Sequence, residues 1–309
     1  MDILDNYLDY DSVSMDELLN VLNNNEMISD KFKPYLYEFI NSMCLKYPDC
    51  DKRMFYENLK TLKIIECNDD VMFEKTGSRT ADACYVSNKN EIYTKEDSVY
   101  EKGTWEYQVL MHEFAHSIRN GYIENGDKDI RVSSMGNALS LVTVDEALNS
   151  VFTVSLFDYE ERDIAYQLQS NYCTVMLECL DNYDLSDYIN HSISYYAKKL
   201  DEHNGHNNYA TTLFALIDAQ YKDFHNDEIS VAQDEYYPIY DYIANMYYNK
   251  YITSEMNYSD TKRVADSLIE KILYDVPFEY NIDTDRFYEY LDMYCMYRGI
   301  DIDSVNRGR

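Results

Sequence analysis

Hydrophobic residues recur at three- and four-residue intervals along most of the chain, which is the spacing typical of amphipathic α-helices. Ahead of residue 60 this spacing predicts three helices, at about 15–22, 31–47 and 51–59. Ser14 and Glu17 are spaced as a capping box that starts the first helix. Residues 1–60 are therefore predicted to form an N-terminal helical segment.

The pattern changes between residues 62 and 94, where short apolar runs are separated by polar turns. The runs are predicted as four strands, at 62–67, 71–74, 83–87 and 91–94. The stretch Asn88-Lys89-Asn90 is predicted as the turn that joins the last two strands. This is the only convincing β-rich part of the sequence.

Helical spacing returns at residue 104 and continues to Gly299. One helix is predicted over 104–119, and the next runs to Phe157 from Ser140 or Thr143. The predicted fold class is α+β and predominantly α-helical, with a small sheet and the helix at 104–119 packed against a helical C-terminal domain.

The predicted domains are the N-terminal segment, a core over 61–160 and a helical domain over 161–309. Few glycines and prolines interrupt the chain, with 8 Gly and 4 Pro in 309 residues, which favours helices joined by short connections.

Composition excludes some classes of partner. The net charge is −30 and the pI is about 4.4, so the surface repels phosphate backbones and anionic lipid, and nucleic-acid binding is not expected. Seven scattered cysteines without a CxxC pair favour reduced thiols over a disulfide framework. Because no apolar run reaches membrane-spanning length, a cytoplasmic protein is expected. The alternative is an extracytoplasmic domain whose anchor is absent from this sequence.

The helix predicted over 104–119 carries the sequence HEFAH from His112 to His116. Two histidines four residues apart on a helix lie about 40° apart around the axis and about 6 Å apart along it, so both imidazoles can hold a single ion. Glu113 lies about 100° from His112, where it flanks the ion, and this is the place for a general base that activates water. The alternative is a chance HExxH, with a surface histidine pair and an ordinary glutamate.

Three stretches together resemble the core of a gluzincin-type zinc metallopeptidase of the thermolysin-like clan. They are the run from Ala83 to Tyr93, the HEFAH sequence, and Asp145-Glu146-Ala147-Leu148-Asn149. The resemblance covers roughly residues 60–160, about a third of the chain. It does not extend to the metzincin pattern, because Arg119 and Tyr122 occupy the positions of its Gly and third His.

The resemblance implies a role for each residue of the motif. One zinc ion per chain would be held by His112, His116 and Glu146, with Glu113 as the catalytic base. The strand Glu91–Thr94 would form a sheet edge to which an extended substrate pairs.

Alternatives remain for the third ligand and for nearby polar residues. Thr143 and Glu146 are also spaced as a capping box, which would explain Glu146 without a metal. Asp127 or Asp129 would serve in an aspartate-type site. Farther along, the polar stretch with His203 and His206 is predicted as a loop, with a second metal site as the alternative.

The expected function is a zinc-dependent metallopeptidase, an endopeptidase that hydrolyses peptide bonds of a peptide or protein substrate. The alternative is a catalytically weak or inactive zincin-fold protein that binds or regulates. Ser150 motivates it, because the family often has an acidic residue there that supports a metal-bound histidine. A third hypothesis is a metal-free helical interaction protein rich in tyrosine, of which the chain has 34.

Overall fold

The computed structural model describes residues 13–119 continuously. It also describes 121–122, 129–130, 134–135, 139–140, 142–157, 166–180, 185–190 and 193–204, with the single positions 214, 217, 243 and 250. Most of the helical stripes predicted beyond residue 204 lie outside the described residues.

The described residues belong to two compact units. The first is drawn from Met1–Ser134, Phe152–Glu160 and Asp184–Tyr195. The second is drawn from Met135–Val151, Glu161–Tyr183 and Tyr196–Arg309.

The first unit begins with the three predicted helices, α1 (Met15–Asn24), α2 (Lys33–Lys46) and α3 (Arg53–Thr61). The capping box is confirmed: the Glu17 backbone N–H donates to the Ser14 hydroxyl at 3.3 Å, and the Ser14 N–H donates to the Glu17 carboxylate at 2.8 Å. The helices bury the apolar stripes that predicted them, including Leu36, Phe39 and Ile40 of α2.

A small sheet follows, formed by β1 (Lys63–Cys67), β2 (Ala83–Val86) and β3 (Glu91–Lys95). The strand order is β1–β3–β2, with β1 parallel and β2 antiparallel to β3. The predicted turn is confirmed as a short 3-10 turn closed by Asn90 in the left-handed conformation, at φ 53°.

The prediction that Glu91–Thr94 forms the sheet edge is wrong. Strand β3 pairs on both sides and is central, whereas β2 is an edge strand of this sheet. The reason is the path of the chain after β1. It forms a helix and then β2 before β3 enters the sheet between β1 and β2, parallel to β1.

The prediction of a strand at 71–74 is also wrong, because these residues lie within α4 (Asp69–Thr76). Asn68 caps the helix by accepting the Val71 N–H at 3.1 Å, and Gly77 ends it at φ 73°. Met72 packs on Cys67 and Tyr93, so α4 covers one face of the sheet.

After the sheet come α5 (Trp105–Arg119) and α6 (Val142–Phe157). Between them lie two short strand pairs, β4 (Gly121–Tyr122) with β5 (Asp129–Ile130), and β6 (Ser134–Met135) with β7 (Leu139–Ser140).

The C-terminal part of α6 is anchored within the first unit. Phe157 packs on Phe39 at 6.1 Å between ring centroids, and Phe152 stacks on Tyr47 at 5.7 Å. The Ser155 hydroxyl lies 2.9 Å from the Tyr47 hydroxyl oxygen. These contacts hold the last turns of α6, which belong to the first unit.

Further along are α7 (Gln167–Cys179), α8 (Asp187–Asn190) and α9 (Ile193–Asn204). In the second unit, α6, α7 and α9 contribute Val144, Leu148, Cys173, Met176 and Tyr196 to the lining of one small apolar cavity. The loop predicted around His203 is wrong at that residue, which belongs to α9, while His206 lies outside the described residues.

The prediction of an α+β, predominantly helical fold is confirmed for the described residues. No helix among them is both long and apolar enough to cross a membrane.

Raising the pH from 7.5 to 10 is expected to destabilise the folded chain through its buried thiols. Burial raises the pKa of Cys50 to about 11 and that of Cys173 to about 12, against an ordinary value of about 8.5. A thiol whose pKa is raised in the folded state contributes its full stabilisation at a pH below the pKa of the unfolded state. That stabilisation is lost as the pH rises towards the pKa of the folded state. The loss at pH 10 is about 2 kcal/mol per fully buried thiol.

The measurement is urea unfolding at both pH values, comparing the parent with Cys173→Ala and with Cys44→Ala as the half-buried control. Cys173→Ala should reduce the difference in unfolding free energy between the two pH values, whatever its effect at either one. An unchanged difference would contradict the assignment.

Candidate metal centre

Helix α5 is held by a cap and by one continuous buried face. The Thr104 hydroxyl accepts the Tyr107 N–H at 3.3 Å and so caps the N-terminus of the helix. Glu106 lies in the first turn, where a negative charge interacts favourably with the helix dipole. The fully buried apolar residues on α5 are Leu110, Met111, Phe114, Ala115 and Ile118. Their burial determines which face of the helix is turned towards the interior.

The two histidines of α5 come together at one point. The Nε2 atoms of His112 and His116 are 3.1 Å apart, and their rings are nearly perpendicular, with centroids 4.8 Å apart. His116 is buried at 5% exposure, and His112 is half-buried. The pair therefore lies at the boundary between the interior and the surface of the helix bundle.

Glu146 joins the histidine pair. The ligand atoms of His112, His116 and Glu146 all lie within 4.8 Å of one another. Glu146 lies on α6, the helix whose later turns pack on Tyr47 and Phe39. These three residues form the group of potential metal ligands found among the described residues.

The capping-box interpretation of Glu146 does not agree with the helix boundary. Helix α6 begins at Val142, so Thr143 is its second residue and is not the cap. Thr143 is also buried, at 3% exposure. Of the other candidates for third ligand, Asp127 lies outside the described residues, and only the backbone of Asp129, in β5, is described.

The donor set fits a zinc ion. Two imidazoles and a carboxylate are the ligands of one class of catalytic zinc site, with a fourth position open. Ligands bound at about 2.0–2.1 Å in a tetrahedron lie about 3.3 Å apart, close to the 3.1 Å between the two Nε2 atoms. Glu146 is half-buried, and a change in its side-chain torsion angles would be needed to bring its carboxylate to ligand distance.

Glu113 lies beside this group without belonging to it. Its side chain is buried at 8% exposure, on the same helix as both histidines. Burial, and next the negative charge of Glu113, raise the pKa of the Cys84 thiol to about 12. Since Cys84 belongs to β2, the carboxylate lies towards that strand.

Strand β2 also places Tyr85 against the histidine pair. The Tyr85 and His116 rings are parallel within 6°, with centroids 6.4 Å apart. The sequence did not indicate this contact, because the pattern of a short apolar strand does not show which distant residue its aromatic side chain will meet. The alternation of the strand is the only available signal, since it places Tyr85 on the face opposite Cys84.

The outer edge of β2 offers main-chain hydrogen bonds. The Lys95 N–H donates to the Asp82 carbonyl at 3.3 Å, so the pairs Cys84–Tyr93 and Val86–Glu91 are also of the hydrogen-bonded type. The N–H and C=O groups of Ala83 and Tyr85 therefore point away from β3. No strand among the described residues pairs with that edge.

Acidic support near the ligands differs from the pattern that the resemblance implies. Ser150 is buried at 1% exposure, as are Asp145 at 3% and Asn149 at 0%, one turn or less from Glu146. Position 150 thus contributes a hydroxyl and not a carboxylate.

Comparison with known proteins adds no family assignment: no protein-family model, no curated protein and no solved structure matches this chain.

Proposed function

We propose that this chain is a zinc-dependent metallopeptidase that cleaves peptide bonds within an extended chain. The observation that carries the proposal is the convergence of His112, His116 and Glu146, whose ligand atoms lie within 4.8 Å of one another. The arrangement of two ligands on one helix and a third on another supports a site built for one ion.

A zinc ion held by His112, His116 and Glu146 would supply Lewis acidity, which would activate water and polarise the scissile carbonyl. Glu113 accepts the proton of the attacking water and then delivers it to the nitrogen of the leaving amine. Its burial favours this role, because a carboxylate shielded from bulk water interacts more strongly with groups of changing charge.

The outer side of β2 supports an extended peptide as the substrate. Ala83 directs its N–H and C=O groups away from β3, where a peptide main chain could pair with them. Because the Tyr85 ring lies against His116, a peptide paired along this edge runs past the proposed zinc site. Main-chain pairing would position the scissile amide without a requirement for one particular side chain.

The direct test combines metal content with cleavage. Chain purified without a histidine tag is expected to contain about one zinc per molecule by elemental analysis, and to cleave an unfolded protein such as reduced casein. Treatment with 1,10-phenanthroline should stop cleavage, and added zinc should restore it. Absence of bound zinc, even after incubation with excess zinc, would refute the proposal.

Zinc at full occupancy without cleavage across a broad peptide library would instead support a non-catalytic binding protein. The buried Ser150 motivates that second candidate. Loss of the support that a second residue gives a metal-bound histidine commonly reduces metal affinity or activity about 10–100-fold.

A further inference from the structure

We propose that Tyr85 is a positioning residue that fixes the ring of His116 for metal binding. This inference rests on the proposed function, because it assigns a residue that supports one of its three ligands. The contact that carries it is the parallel stack of the two rings, within 6° and at 6.4 Å between centroids. A ring stacked on a neighbour resists rotation about its own bond to Cβ, and this rotation sets the direction of Nε2.

The Tyr85 ring is itself held by a buried amide. Its hydroxyl donates to the Asn90 side-chain oxygen at 3.0 Å. Asn90 is buried at 4% exposure, and its amide nitrogen donates to the Asn58 carbonyl at 2.7 Å and to the Thr61 hydroxyl at 2.9 Å. The turn between β2 and β3 and the C-terminal part of α3 thus hold the phenol at its far end.

The same network reaches the backbone beside His116. The Asn58 side-chain amide, buried at 2% exposure, donates to the Ser117 carbonyl at 2.6 Å. Asn58 therefore ties α3 to α5 at the residue that follows His116. Hydrogen bonds therefore connect Tyr85, which contacts the His116 ring, through Asn90 and Asn58 to the backbone of Ser117, the residue after His116.

Restricting the His116 ring before the metal arrives should increase metal affinity without contributing a ligand. A ring that is already held in place loses less conformational entropy when the metal binds.

The test measures metal binding in the full chain, with zinc and cobalt(II) as probes. Tyr85→Leu removes the ring contact and should weaken zinc binding about tenfold. This is the lower end of the range of about 10–100-fold that is typical when a residue supporting a metal ligand is lost. Tyr85→Phe keeps the ring and should recover most of that affinity. Zinc affinity is measured by competition with a chromophoric chelator, and the visible absorption of cobalt(II) reports the geometry of the ligands.

Tyr93→Phe is the matched control. Tyr93 lies on the opposite face of the sheet, and its hydroxyl donates to the Glu91 carboxylate at 2.8 Å. It should change neither the zinc affinity nor the cobalt spectrum. Unfolding of the metal-free proteins separates positioning from general stability, since a merely structural role would lower stability while the cobalt spectrum stayed the same.

Zinc affinity and a cobalt spectrum that are unchanged in Tyr85→Leu would overturn this inference and leave the proposed function standing. A parent chain that takes up neither metal would overturn both.

Discussion

Replacing Glu113 with Gln is expected to leave about one zinc ion bound per chain and to lower the rate of peptide hydrolysis roughly 10²–10⁴-fold. The amide has nearly the shape of the carboxylate but cannot accept a proton from water. Glu113 is not one of the three residues whose ligand atoms converge, so its loss removes no ligand. Elemental analysis and a cleavage assay on the same preparation give the two readouts.

Glu106→Gln is the matched control for this variant. Glu106 lies seven residues earlier on α5, two turns along nearly the same face, and the substitution makes the same change of charge. It should keep both the zinc and the rate within a factor of about two. If Glu113→Gln hydrolysed substrate as fast as the parent, another group would have to be the base. Loss of zinc from it would show instead that Glu113 contributes to the metal site.

Local patterns predicted the helices well, because the residues that define a helix also bury its face. Leu36, Phe39 and Ile40 of α2 illustrate this, as they are fully buried where the spacing placed them. The prediction fails for Val71–Glu74 because three adjacent apolar residues carry no period. The capping residue Asn68 and the terminating Gly77 were the deciding signals in that case.

The order of strands could not be obtained in the same way. Each strand of the sheet can be predicted from its own residues alone, but the pairing of strands depends on contacts between residues that are distant in the sequence. β1 and β3 are parallel partners 28 residues apart, from Lys63 to Glu91. No property of a single run of residues says which strand lies in the centre. The sequence therefore predicts β3 as an edge strand, whereas the structure has β3 in the centre and β1 and β2 at the two edges.

The candidate site likewise combines features that follow from local sequence with features that depend on contacts between distant residues. The proximity of His112 to His116 follows from the geometry of one helix and could be predicted from spacing alone. The approach of Glu146 depends on how α6 packs, and the sequence suggested it only through a family resemblance. The link from Tyr85 through Asn90 and Asn58 joins three elements, and no short motif encodes it.

Replacing Glu146 with Gln is expected to raise the dissociation constant for zinc roughly 10²–10⁴-fold, taking one ligand of three as about a third of a typical zinc-binding free energy. An amide oxygen carries no charge to balance the cation. The metal-free variant should fold with a stability within about 1 kcal/mol of the parent. The buried face of α6 is formed by Val144, Ala147 and Leu148, which are unchanged. Chelator competition measures the affinity, and circular dichroism during urea unfolding measures the stability.

Two companion variants make this result specific to the carboxylate at position 146. Glu146→Asp keeps the charge on a side chain one methylene shorter, so it should recover part of the zinc affinity. Asp129→Asn tests the aspartate-type alternative and should leave the affinity unchanged if His112, His116 and Glu146 are the three ligands. If Asp129→Asn abolished zinc binding while Glu146→Gln preserved it, the third ligand would be an aspartate. The peptidase proposal would then have to be rebuilt on a different ligand geometry, since the position left open for water is opposite the ligands that hold the ion.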